Sequence, residues 1–229
     1  MDKNEVREKA IKQIFEETTL RTKGFICTKK SIYKKEDVFK YSLDFGSAIS
    51  PNRLEEVNIL EVRAQISHEG LRKFKKDNLN QDSGFVCGGS IANLFIAGPP
   101  WTSFDLGITE ESYNVQLEKI NRIVESDIFY FFKEYSEPKN LLNILWQPCF
   151  NLRCTIHLFV FLKKDNLLKD LIDMVSVNRK ATFTENYKKF NNRLINGVTW
   201  LEVYKDVKDG EDSLSLEIAN SFFEMGIKL

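Results

Sequence analysis

Histidine is almost missing from this 229-residue chain: only His68 and His157 are present. The scarcity limits the chemistry, because a Ser or Cys nucleophile usually takes its base from an imidazole. His157 lies in the apolar run Thr155-Ile-His-Leu-Phe159, where a core or interface role is expected. His68, beside Glu69, is the better candidate for catalysis, but no Gly-x-Ser-x-Gly elbow accompanies it.

Phosphate-binding loops are missing too. The stretch that invites comparison is CGGSIANLFIAGPPW, residues 87–101. A P-loop needs G-x-x-x-x-G-K-[ST], whose lysine and hydroxyl serve the phosphates and magnesium, and neither is in place. A dinucleotide fingerprint needs G-x-G-x-x-G; here Gly88 and Gly89 are adjacent and Gly98 is followed by two prolines. The paired glycines instead predict an irregular strand, with Leu94 and Phe95 continuing it and Pro99-Pro100-Trp101 forming a stiff corner.

The four cysteines have no framework spacing. Cys149 and Cys154 stand at the wider limit of a zinc half-site, but no second Cys/His pair follows. They are expected to be reduced core residues, with no metal site and no cofactor. No apolar run approaches the 18 or so residues that span a bilayer. The first residues, MDKNEVREKAIKQ, have the charge pattern of a helix rather than a leader, so a cytoplasmic protein is expected. Low-complexity linkers and internal repeats are absent as well.

Net charge is also lacking, with 33 Lys and Arg against 33 Asp and Glu. No overall field draws the chain to nucleic acid or a membrane. The charges are nevertheless uneven. Residues 21–40 hold seven Lys/Arg against Glu36 and Asp37, and residues 200–217 hold six acids against Lys205 and Lys208.

What is present is ample core material: 42% hydrophobic residues, including 18 Phe. Val6, Ala10, Ile11 and Ile14 predict a helix over 4–21 that stops near Gly24. Strand character follows in Phe25–Tyr33, in Phe39, Tyr41, Leu43 and Phe45, and in Leu60, Val62, Ala64 and Ile66, with a hairpin turn at 34–37. Glu69–Asn80 reads as a short helix or loop, and Phe104–Ile108 as a short strand. Tyr113, Leu117, Ile120, Val124, Ile128, Phe131 and Tyr135 form the stripe of one long helix, capped by Thr109 and closed by Pro138. Further on, Leu152–Leu162 is apolar nearly all round and fits a helix or a buried strand. Segments starting near Asp165, around Phe183–Leu194 and from Ser213 to Met225 are helical.

These elements predict an α+β fold. A four- to five-stranded antiparallel sheet carries an N-terminal helix and a long helix on one face, followed by C-terminal helical hairpins. The sheet part would occupy residues 1–137 and the helical part 138–229, packed on it, with no linker marking a boundary.

The order of a helix, RTKGFICTKKSIYKK, strands ending VRAQISH, a proline corner and a long helix resembles the bacterial domain-of-unknown-function family 4304. Lys23-Gly24-Phe25 is the local signature, and the likeness in order and pattern covers residues 4–175. The resemblance implies a non-catalytic bacterial cytoplasmic protein of immunity type, which neutralises a toxin by binding it.

The expected function is therefore protein–protein recognition. Trp101 and Phe104 stand as aromatic anchors, with Asp209, Glu211 and Asp212 as an acidic patch. Two alternatives remain: a hydrolase or transferase with a site near His68, and single-stranded nucleic-acid binding by the lysine-rich strands, where Phe25, Tyr33 and Phe39 interleave with lysines.

Overall fold

The computed structural model describes residues 3–47, 59–95, 104–106, 109–145, 147, 149–176, 180–205, 207 and 213–227. Trp101, Asp209, Glu211 and Asp212 lie outside the described residues.

The first helix, α1 (Lys3–Glu17), buries Val6, Ala10, Ile11 and Ile14, as their spacing requires. The chain then turns through Gly24, whose φ of 81° favours glycine. Strands β1 (Ile26–Cys27), β2 (Ser31–Glu36), β3 (Phe39–Ser47), β4 (Ile59–His68) and β5 (Phe85–Ser90) pair antiparallel in chain order. The short β6 (Phe104–Asp105) pairs with β4 at Ile59 and Leu60, beyond the reach of β5.

Where a single strand over Phe25–Tyr33 is expected, the structure has a hairpin. The Thr28 hydroxyl accepts from the Ser31 N–H at 3.0 Å, and the Thr28 N–H donates to the Ser31 carbonyl at 2.8 Å. The alternation in β4 is one-sided: Leu60, Val62, Ala64, Ile66 and His68 are buried, whereas Arg63 is exposed. Register sets Phe45 opposite Val62, Leu43 opposite Ala64, and Tyr41 opposite Ile66, which aligns the apolar residues on one face.

Gly88 shows why this stretch needs glycine. Its φ is 153°, a Cβ there would lie 2.3 Å from the Ala64 carbonyl oxygen, and the β4–β5 register shifts between Ile66 and Ser67. Leu94 and Phe95 do not continue the strand as expected. They belong to a short helix, α3 (Ile91–Phe95), with Ile91 and Ala92 buried. A short apolar run does not separate helix from strand by period.

α2 (Glu69–Leu79) follows β4 directly. The long stripe becomes α4 (Glu110–Ile123), a π-helical turn (Val124–Ile128) and α5 (Phe129–Tyr135), with Tyr113, Leu117, Ile120, Val124, Ile128 and Phe131 all buried. Thr109 caps α4 by accepting from the Ser112 N–H. α1 packs on β2, β3 and α4, and α5 packs on β4, so these helices cover the apolar face of the sheet.

After a 3₁₀ helix (Pro138–Ile144) come α6 (Leu152–Phe161), α7 (Asp165–Ser176), α8 (Lys180–Ile195), α9 (Trp200–Lys205) and α10 (Ser213–Glu224). The segment that is apolar all round is thus a helix. It lies between β5 and α2 on one side and α7 and α10 on the other, which explains its apolar girth. Among the described residues no helix is long and apolar enough to cross a membrane.

Candidate functional site

Among the described residues, a cavity carrying converging charge lies where the segment after α1, the β2–β3 hairpin and α5 meet. Its volume is about 370 Å³, and its lining comprises Lys23, Phe25, Lys34, Glu36, Tyr41, Phe129, Phe132, Lys133 and Ser136.

Each side chain arrives there for a local reason. Glycine at position 24 reverses the chain, so Lys23 stays exposed while Phe25 is buried. Lys34 and Glu36 lie two apart on β2 and therefore share a face, which register makes the face of Tyr41 and Phe39 on β3. Phe129, Phe132 and Lys133 on α5 and its C-cap Ser136 recur at i, i+3, i+4 and i+7, with Phe132 also buried in the core.

The floor is aromatic. Phe25 stacks on Phe132, with centroids 6.1 Å apart, and meets Phe129 edge-on; Tyr41 lies 5.2 Å from Phe132. The rim is cationic. The Lys23 ammonium sits 3.4 Å above the centre of the Phe129 ring, and Lys34 is held 3.0 Å from the Glu36 carboxylate. Lys133 is exposed at the mouth. Three ammonium groups thus face one carboxylate. Among the described residues neither Lys23 nor Lys133 has a carboxylate partner, and the Tyr41 hydroxyl is bonded to no protein group. The lining is chemically suited to an anion carrying an apolar body, because the ammonium groups attract charge and the rings beneath are apolar.

His68 is buried and does not line this cleft. Its Nδ1 accepts from the Leu71 N–H at 3.1 Å and so caps α2, and its ring is wedged between Phe39 at 5.1 Å and Phe161 at 5.4 Å, both edge-on. Burial pushes its pKa below the ordinary imidazole value. The ring is thus a cap acceptor in an aromatic cage, and Glu69 is the carboxylate that acts on it.

The second imidazole joins a buried polar tie. His157 Nε2 is 3.1 Å from Glu224 Oε2, although off the line of a well-formed hydrogen bond. Arg153 donates to the same carboxylate through two nitrogens, and Gln81 donates to it at 3.4 Å. Burial raises the nearby Cys154 thiol, and His157 is completely buried. Their arrangement fastens α10 to α6 and to the residues following α2.

The expected anchors fare differently. Phe104 is 3% exposed and pairs opposite Leu60, so it belongs to the core and offers no surface contact; a Phe next to an exposed-looking proline corner gives no sequence sign of this. The supposed stacking platform also separates. Phe25 and Phe39 face the core side, whereas Tyr33 lies on the opposite face beneath Lys40, at 5.2 Å.

Sequence reasoning missed Phe129, Phe132 and Lys133 as site residues. Phe132 is legible as a core residue, but its place beside Lys133 at the cleft depends on what packs opposite α5. Comparison with protein-family models, with curated proteins and with solved structures finds no match to this chain.

Proposed function

We propose that this protein works by binding another protein, without catalysing a reaction, and that it is of the immunity type that neutralises a toxin by occlusion in the bacterial cytoplasm. The observation that carries the reading is the lysine-rimmed aromatic cleft between α5 and the β2–β3 hairpin.

Its surroundings favour a macromolecule over a small metabolite. β1 covers β2 only opposite Ile32 and Tyr33, so among the described residues Lys34–Glu36 have no strand on their outer side. Val38 and Tyr130, each within three residues of a cleft-lining group, are exposed apolar side chains, whereas Ile26 pairs with Tyr33 on the other face of the sheet. Apolar contacts ringed by charge are the usual anatomy of a recognition surface, with the charges steering encounter.

The test uses the full chain as bait in a lysate of its source organism, beside a Lys23→Glu/Lys133→Glu variant. A protein retained at low salt by the wild type, lost with the variant and inhibited on stoichiometric mixing supports the reading. Retention of the same proteins by both baits, or of none by the wild type, overturns it.

A further inference from the structure

Resting on that reading, we infer that the cleft takes an acidic-aromatic segment of the partner, with an aromatic ring laid on the phenylalanine floor and a neighbouring carboxylate held by the lysines. The volume of about 370 Å³ admits one ring and its flanking backbone rather than a whole domain edge. Phe25 and Phe132 are buried and stacked on each other and Lys23 covers the face of Phe129, so the floor offers a second ring its remaining edges, which favour edge-on aromatic contact over an aliphatic side chain.

The cations are ordered before the ligand arrives. Lys23 is pinned over Phe129 and Lys34 is pinned by Glu36, so two of the three ammonium groups lose little freedom on binding. The Tyr41 hydroxyl supplies a neutral donor at the same place. A basic segment would meet three like charges, and a purely apolar one would leave the rim unsatisfied.

Glu36 makes the inference testable in the direction of gain. Its carboxylate competes for Lys34 from within the cleft, so Glu36→Gln raises the positive charge there without removing any floor residue.

The experiment is a titration of the full-length protein, followed by amide and lysine side-chain NMR shifts. The probes are the blocked peptide acetyl-Glu-Trp-Glu-amide, its Gln-Trp-Gln and Glu-Ala-Glu analogues, and inorganic phosphate. Shifts at Lys23, Lys34 and Phe132 with Glu-Trp-Glu are expected, with binding weaker by about tenfold for each analogue and for Lys23→Gln/Lys133→Gln, and tighter for Glu36→Gln. Circular dichroism checks that each variant stays folded.

Equal binding of Gln-Trp-Gln or Glu-Ala-Glu, phosphate binding as tight as the peptide, or no effect of Glu36→Gln overturns the inference. If the peptides fail while partner capture still depends on Lys23 and Lys133, the recognition function stands and only this anchor chemistry falls. If capture fails as well, both fall.

Discussion

His157 and His68 give the molecule a particular response to acid. Burial, the first cause for both, pushes each imidazole below its ordinary value of 6.5; Glu224 beside His157 counters part of the shift, and Lys75 and Arg153 add to it. The folded chain therefore binds fewer protons than the unfolded chain once the pH falls below that value. Above it both states are neutral and nothing is gained or lost; as pH falls through it the unfolded state takes up protons first and stability declines until the folded-state value is reached. Glu224 adds to the same trend at lower pH. Burial alone would raise its carboxyl, but His157 and Arg153 hold it below the usual carboxylate value of 4.5, so its contribution is also lost on acidification. The urea midpoint is expected to fall between about pH 7 and pH 5, and His157→Gln to flatten that slope. A midpoint that is unchanged across this window would show that neither ring is buried neutral. Substituting His68 separates architecture from catalysis. His68→Ala removes a cap worth about 1 kcal/mol as well as ring packing, whereas His68→Asn restores an oxygen acceptor and should recover part of the loss in urea unfolding.

At the scale of elements, the sheet and most helices were legible because their period is strong. β3 and β4 alternate without interruption, and the α4 stripe runs unbroken at helical spacing. Three things were not legible. The Thr28–Ser31 turn rests on a side-chain bond that no period reports. The π-helical turn leaves the apolar stripe in place while altering the helix inside it, so the sequence reads as one long helix. That Phe132 serves the core while Lys133 stands exposed at the cleft depends on what packs opposite α5, which is long-range information. Gly88 illustrates the partial case: the sequence predicts an irregularity, but only the fold shows the Ala64 carbonyl beneath it and the Gly88 N–H donating to Cys149 at 3.1 Å. Gly88→Ala must separate β4 from β5 or twist the strand away from the loop before α6. Its cost is expected to reach about 3 kcal/mol or more in urea unfolding. A variant within experimental error of the wild type would mean that the strands are not in this register.

For the whole molecule, the decisive question is whether residues 138–229 fold with the sheet or beside it. The contacts joining the two parts come from several places. The Gly88 N–H donates across to Cys149, the Phe161 ring meets His68 and Phe74, Gln81 reaches Glu224, and α6 packs on β5. Ile156, Leu158 and Phe159 on α6 are essentially buried, and α6 contacts β5 and α2 of the sheet part as well as α7 and α10 of its own part. The share of that burial made against β5 and α2 would be lost on separation, which couples the two parts. Urea unfolding is therefore expected to show one transition, with far-UV circular dichroism and aromatic fluorescence coincident. Glu224→Gln, which weakens the Arg153 and His157 tie between α10 and α6, should lower the midpoint and leave a single transition. Two separated transitions in the wild type, or a splitting in Glu224→Gln alone, would show that the C-terminal helices form an independent unit, and that the cleft between α5 and the β2–β3 hairpin belongs to a smaller domain.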